Sequence, residues 1–225
     1  MRYNPNSAMI FCAGRGTRMK VLTENRPKPM IEVAGRPLVD HALEQLGDIS
    51  IRVANLHYLP DILEKHLSSA GLETVFEDTL LETGGGLKNA LPHLDGDAVY
   101  TMNTDAVWKG PVAAEILSKA WDPEKMDALL LVVPKTRAHA HLGAGDFELA
   151  VDGQIRRGQN YIYTGMQILK TAPVVAIEET FFSLNRVWEN LFAQGRIFGV
   201  EYSGHWCDVG HPDGIAIAES MLKDC

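Results

Sequence analysis

Short apolar runs alternate with segments in which apolar residues recur every three or four positions, and this rhythm organises the first third of the chain. Ala8 to Phe11 is a continuous apolar run and predicts a short buried strand. Pro37 opens a helical pattern in which Leu38, Val39, Ala42, Leu43 and Leu46 share a face, and Gly47 closes it. Ile49 to Asn55 predicts a second strand, Pro60 to Ala70 a helix ended by Gly71, and Leu72 to Glu77 a third strand. Strand, helix, strand, helix, strand is the rhythm of a parallel sheet with helices on its faces. Ligands of such sheets sit beyond the carboxyl ends of the strands, which draws attention to the loop after Phe11.

Leu81-Glu82-Thr83-Gly84-Gly85-Gly86 precedes an apolar pattern at Leu87, Ala90 and Leu91, so three glycines open a helix and would bring bare backbone to a flat ligand. Ala98 to Met102 predicts a fourth strand running into Asn103-Thr104-Asp105. A carboxylate at the tip of a central strand is well placed to hold Mg²⁺ against phosphates. The competing reading makes Asp105 a cap for the helical stretch Val112 to Ala120 or its approach. Ala128 to Val133 is another strand, and Thr136 to Asp146 is turn-like, with His139 and His141. Their spacing lacks a third metal ligand and reads as solvated or lid histidines. Phe147 to Val151 and Gln154 to Arg157 predict a hairpin about Asp152-Gly153. Tyr161 to Leu169 reads as a strand interrupted at Thr164-Gly165-Met166. Leu184, Val187, Trp188, Leu191 and Phe192 mark a core helix ended by Gly195. A last strand, Ile197 to Tyr202, and a helix, His211 to Leu222, complete the pattern.

The chemistry concentrates after the first strand. Ala13-Gly14-Arg15-Gly16-Thr17-Arg18 lets the backbone turn sharply and approach a ligand, and Lys28 follows between Pro27 and Pro29. Pro29 biases Lys28 towards extended conformations, as suits a side chain acting from a fixed point. Backbone N–H groups with an arginine and a lysine are what a triphosphate requires. A P-loop would need Gly-Lys-Ser/Thr where Gly16-Thr17-Arg18 stands, and a dinucleotide fingerprint would need a third glycine where Met19 stands.

Bulk properties narrow the setting. The 225 residues suffice for one large or two small domains, and 46% apolar with 22% charged residues is ordinary for a globular protein. A net charge of −8 without a basic block argues against nucleic acid, so an anionic substrate must be drawn in by local arginine and lysine. No apolar run approaches the roughly 20 residues of a membrane span, and the polar stretch Met1 to Ser7 lacks a signal-peptide core. Cys12, Cys207 and Cys225 form neither a metal pattern nor a paired framework, which predicts a reduced, cytoplasmic setting.

Gly14-x-Gly16-Thr17-Arg18 followed by Pro27-Lys28-Pro29 resembles the signature of the sugar-1-phosphate nucleotidyltransferases. The resemblance spans Ala8 to about Leu222. It implies a single-domain, three-layer α/β/α fold with a mixed, mostly parallel sheet, Rossmann-like and of the GT-A type. That domain would cover 8–223, with a nucleotide-binding half at 8–110 and a sugar-binding half at 111–223. Ala13, Gly14, Gly16, Thr17, Glu82, Thr83, Gly84, Gly85 and Asn103 would hold the nucleoside triphosphate. Arg18 and Lys28 would serve the transferred phosphate, and Asp146 and Gly165 the sugar. Trp206-Cys207-Asp208-Val209-Gly210 is similar to the family's second metal site, so Asp105 and Asp208 would share Mg²⁺. The chain departs from the pattern at Cys12, at Val21, at Thr104 where a glycine is usual, and in having no Glu-Lys-Pro before Tyr161.

The implied reaction is an in-line attack of a sugar 1-phosphate oxygen on the α-phosphorus of the nucleotide, with pyrophosphate leaving. At this length no left-handed β-helix domain is expected. The compact size, Glu82 to Gly86, Gly145-Asp146-Phe147 and His205 to Gly210 most resemble the bacterial N-acetylmuramate-1-phosphate uridylyltransferases, which favours UTP. Mannose-1-phosphate guanylyltransferase is the alternative within the class. A nucleotide-sensing domain without turnover is the alternative outside it, and would be marked by loss of Arg18, Lys28 or a metal carboxylate. A monomer or small homo-oligomer, with neither nucleic acid nor membrane as partner, completes the expectation.

Overall fold

The structure, a computed structural model, describes residues 4–223, so Cys225 and the start of the Met1–Ser7 segment lie outside the described residues. The opening rhythm is present as β1 (Ser7–Phe11), α1 (Leu38–Glu44), β2 (Ile51–Leu56), α2 (Pro60–Ser69) and β3 (Glu73–Phe76). The chain continues through α3 (Glu82–Ala90), β4 (Ala98–Asn103), β5 (Ala106–Lys109), α4 (Ala113–Ala120), β6 (Ala128–Pro134) and β7 (Ala138–His139). It ends with β8 (Phe147–Leu149), β9 (Ile155–Arg157), β10 (Tyr161–Lys170), α5 (Leu184–Gln194), β11 (Ile197–Glu201), β12 (His205–Asp208) and α6 (Asp213–Lys223).

The main sheet runs β9-β8-β10-β4-β1-β2-β3, with β6 joining β10 and carrying β11. β1 pairs in parallel with β2 and β4, and β2 with β3, as the helical crossovers require. β10 enters antiparallel to both β4 and β6, so the sheet is mixed. The predicted interruption in β10 is a bulge. Its register against β6 shifts between Tyr163 and Gln167, and Gly165 there has φ of +91°.

Side-chain alternation along β1 assigns the two faces. Ala8 and Ile10 join Val39, Leu63 and Leu117 of α1, α2 and α4, whereas Met9 joins Leu87, Val187 and Leu191 of α3 and α5. Helices thus cover both faces of the sheet. The helix α5 is fixed at its ends by Ser183, whose Oγ accepts from Asn185 N, and by Gly195 at φ of +63°. No described helix is long and apolar enough to cross a membrane.

Two elements differ from the sequence expectation in ways that matter for the site. Gly84, Gly85 and Gly86 lie buried inside α3 and do not form an open turn before it. β5 and β12 form a second sheet, β5-β12-β7, which α6 closes by packing Ala218 and Met221 against Val107, Cys207 and Met19. Met19 belongs to the 3₁₀ segment Thr17–Thr23, so this small core also anchors the glycine loop.

Candidate active site

The loop leaves β1 with Cys12 and Ala13 buried and Gly14 exposed. A Cβ on Gly14 would meet nothing within 4 Å, so this backbone faces open space where a ligand fits. Gly16 has the opposite reason to be glycine. Its φ is +64°, and a Cβ there would lie 2.8 Å from the Cβ of Lys28. Thr23 holds the turn by donating to the Gly16 carbonyl at 3.1 Å, and Thr17 and Arg18 stay exposed. Beneath the loop, Cys12 N donates to Asn55 Oδ1 at 2.8 Å, and Asn55 Nδ2 donates to Glu77 Oε1 at 2.7 Å. Glu77 Oε2 accepts from Leu81 N at 3.2 Å, and both side chains are buried.

Pro27 is extended, but Lys28 itself heads a 3₁₀ turn, Lys28–Met30, which corrects the expected extended backbone. The turn needs no amide from Pro29, because its bonds run from Met30 N to Pro27 O and from Ile31 N to Lys28 O. Lys28 Nζ lies 2.9 Å from Asp105 Oδ2, with only 13% of the lysine side chain exposed. Arg18 Nη2 is 4.0 Å from the same oxygen, and its side chain is 70% exposed.

Asp105 and Asp208, 103 positions apart in the chain, converge because β5 and β12 pair antiparallel. Ala106 stands opposite Asp208, and Val209 N donates to Asp105 O at 2.8 Å. α4 takes Val112 as its N-cap, so Asp105 does not cap it. Burial pushes the Asp105 carboxyl up, but the adjacent charges of Lys28 and Arg18 outweigh it and hold the group below the ordinary aspartate value. Asp208 is shifted upward, first by burial and then by the charge of Asp105, against the Gly210 N–H that its Oδ1 accepts at 2.6 Å. Two neighbouring carboxylates, one destabilised by the other, suit a hard divalent cation such as Mg²⁺. Among the described residues no third His, Cys, Asp or Glu joins them in a metal-binding group.

Two cavities flank this centre and share Thr83 and Asn103. The smaller, about 200 Å³, is lined by Gly14, Lys28, Thr104 and Asp105, and the larger, about 290 Å³, by Asp146, Arg157, Tyr163 and Asn185. Thr104 turns its hydroxyl to the Phe11 carbonyl at 2.9 Å. Asp146 lines the larger cavity, with Oδ2 accepting from Tyr163 N. Gly84 and Gly85 are corrected, since both amides already donate to Phe182 O and neither is free for a base. A Cβ on Gly84 would strike the Phe182 ring at 2.3 Å, so these glycines let α3 pack against the 180–182 segment. Glu82 is exposed at the first turn of α3. Gly165 packs on Asn103, whose Cβ would lie 2.9 Å from an added Cβ, and Asn103 lines both cavities.

Residues 8–193 match the model of the MobA-like NTP transferase domain. The chain belongs to this family. Along its whole length this NTP transferase is 37% identical to N-acetylmuramate alpha-1-phosphate uridylyltransferase of Caulobacter vibrioides, covering 100% of both chains. It is 32% identical to the protein of that name from Neisseria meningitidis serogroup B, over 90% of this chain and 92% of the other. The crystal structure of HddC from Yersinia pseudotuberculosis superposes with a TM-score of 0.77 at 21% identity, covering 96% of this chain and 99% of that one. The fold is shared, and the enzyme is a nucleotidyltransferase.

Several residues of the transferase escaped the sequence reading. His141 is not solvated, because β7 pairs in parallel with β12 and carries the following segment onto the strand that ends in Asp208. Its Nδ1 lies 3.9 Å from Asp208 Oδ2 with the side chain mostly buried. His139 instead shares a 3.0 Å hydrogen bond with His205, and burial followed by the His205 charge pushes its pKa down. Asn55 and Glu77 carried one available signal, a polar pair at the carboxyl ends of two adjacent parallel strands. Arg157 carried none beyond its place at the end of a hairpin strand.

Proposed function

We propose that the chain joins N-acetylmuramate 1-phosphate to UTP, forming the nucleotide sugar and pyrophosphate, as a step in recycling cell-wall amino sugars. The convergence of Lys28, Arg18, Asp105 and Asp208 at the end of the glycine loop carries the reaction class. The likeness to two proteins named as uridylyltransferases of that sugar, one over its whole length and one over about nine tenths, supports the substrates. On this reading residues 8–110 form the nucleotide half and 111–223 the sugar half. Ala13, Gly14, Gly16 and Thr17 border the triphosphate through their backbone, with Thr83 and Asn103 between nucleotide and sugar and Asp146 accepting from the sugar.

A phosphate oxygen of the sugar 1-phosphate forms the new bond to the α-phosphorus as the bond to the β-phosphate bridging oxygen breaks. No covalent intermediate with the protein is needed, so positioning and charge neutralisation do the catalysis. Mg²⁺ held by Asp105 and Asp208 would add a double positive charge beside the phosphates. The Lys28 ammonium offsets charge that grows on the attacked phosphate, and the exposed Arg18 fork grips the departing pyrophosphate. A sensing domain without turnover is disfavoured because Arg18, Lys28 and both carboxylates are present.

Pyrophosphate release measured with four nucleoside triphosphates, Mg²⁺ and a panel of sugar 1-phosphates tests the proposal. Release is expected to be strongest for UTP with N-acetylmuramate 1-phosphate. Stronger release with GTP and mannose 1-phosphate would transfer the reading to a guanylyltransferase, and no release with any pair would sink the enzyme reading.

A further inference from the structure

The larger cavity adjoining the reaction centre has one wall unlike the others. Among its lining residues, Arg157 is the only basic side chain, and Asp146 lies in the same cavity. Arg157 leaves the end of β9 and spreads its guanidinium over three rings, 5.2 Å from the centre of Phe147, 5.3 Å from Phe192 and 5.9 Å from Trp188. Nη2 donates to Asn185 Oδ1 at 3.0 Å and to Glu189 Oε1 at 2.7 Å, which fixes the plane of the group. Among the described residues its Nη1 and Nε take no hydrogen bond, and 46% of the side chain remains exposed. A planar cation held on an aromatic platform, anchored at one nitrogen and with donors to spare, is a ready receptor for a carboxylate.

The proposed substrate presents such a group. N-acetylmuramate differs from N-acetylglucosamine by a lactyl ether that ends in a carboxylate. Placing that carboxylate in a cavity beside Asp146 without a cation would be costly. We infer that Arg157 recognises the carboxylate of the sugar and thereby sets a preference for acidic over neutral sugar 1-phosphates. This inference rests on the sugar class proposed above. It also predicts that the preference is graded. When a neutral sugar occupies the cavity, Glu189 still compensates the guanidinium, so no buried charge is stranded and the neutral substrate is not strongly rejected.

The test compares kcat/KM for N-acetylmuramate 1-phosphate and N-acetylglucosamine 1-phosphate at saturating UTP, for the wild type and three variants. Arg157→Gln is expected to lose about 30-fold more on the acidic sugar than on the neutral one, the scale of one charge-assisted hydrogen-bonded pair. Arg157→Lys should recover part of that difference, since charge returns without the fork. Glu189→Gln should act in the opposite direction and lower KM for the acidic sugar, because it frees the guanidinium from its internal partner. A thermal melt of each variant shows whether the fold is retained. Equal loss on both sugars in Arg157→Gln, with the wild type still using N-acetylmuramate 1-phosphate, would overturn the inference and leave the proposed function standing. A wild type that uses only neutral sugars would overturn the proposed function, and the inference with it.

Discussion

Lys28→Met separates the catalytic charge from the packing it rests on, because methionine keeps most of the stem that lies against Gly16. Two magnitudes follow from the geometry. At 2.9 Å, an effective dielectric constant of about 20 gives a gross attraction to Asp105 of about 6 kcal/mol. Most of that is offset by the desolvation that pairing demands, and Asp105 is 31% exposed, so the net loss of stability should be about 1–2 kcal/mol. For a chain of 225 residues this lowers Tm by about 2–8 °C. The catalytic term is larger. Removing a fixed donor to charge that develops in the transition state costs about 3–4 kcal/mol, or roughly 10²–10³ in kcat. The assay is pyrophosphate release at saturating nucleotide and sugar 1-phosphate, at a temperature well below the measured Tm. A 100-fold or greater fall in kcat with little rise in the nucleotide KM supports the assignment. A kcat within ten-fold of wild type, or a change confined to KM, would refute it.

The carboxylates should respond in opposite ways. Asp105→Asn and Asp208→Asn should each nearly abolish turnover and weaken Mn²⁺ binding measured by electron paramagnetic resonance, but Asp105→Asn should lower Tm and Asp208→Asn raise it. The depressed Asp105 carboxyl contributes stability above the unfolded value of about 3.9, and that stability disappears as pH falls through its lower folded value. The raised Asp208 carboxyl does the reverse. The gain from Asp208→Asn should be absent below about pH 3.9, grow as pH rises to the shifted value and stay constant above it, as melts across pH would show. Gly16→Ala should cost about 1–3 kcal/mol by forcing a side chain into a left-handed turn against Lys28, whereas Gly14→Ala should leave Tm unchanged and raise the nucleotide KM. Arg18→Ala should both raise the nucleotide KM and lower kcat, and the exposed Arg15→Ala should lose less of either in the same steady-state assay.

The parts of the site that could be read from sequence are those whose cause is local. A buried strand must end, and Gly14, Gly16 and Arg18 announce how, while the parallel layers of the first half follow from helices spaced between apolar runs. The unexpected parts depend on contacts made far along the chain. Ala106 to Lys109 and His205 to Asp208 become strands chiefly because they pair with each other, and neither has a distinctive period by itself. His141 is brought to Asp208 by a second pairing of the same strand, that of β7 with β12. Gly84 to Gly86 misled for a related reason, since a glycine needed for close helix packing looks the same in sequence as one needed for a turn. The partners of Gly84 and Gly85, Phe182 and Thr180, lie almost 100 positions away, whereas Gly86 packs on Glu77 and Asn55. Arg157 could be seen as part of a hairpin, but only the aromatic wall supplied by Phe147, Trp188 and Phe192 turns it from a surface charge into a candidate receptor.

The Asn55–Glu77 pair beneath the loop has an implication for recognition. Cys12 just after β1, Asn55 on β2, Glu77 just after β3 and Leu81 at the entry to α3 are tied by buried side chains. The mouth of the smaller cavity is therefore finished before any ligand arrives. A nucleotide meets a surface whose conformational entropy was already lost on folding, so its binding free energy remains available for orienting the phosphates. The same rigidity limits tolerance. A ligand that does not match the opening cannot be accommodated by a local shift of the loop, because moving one of the four attachment points would leave a buried amide or carboxylate without its partner.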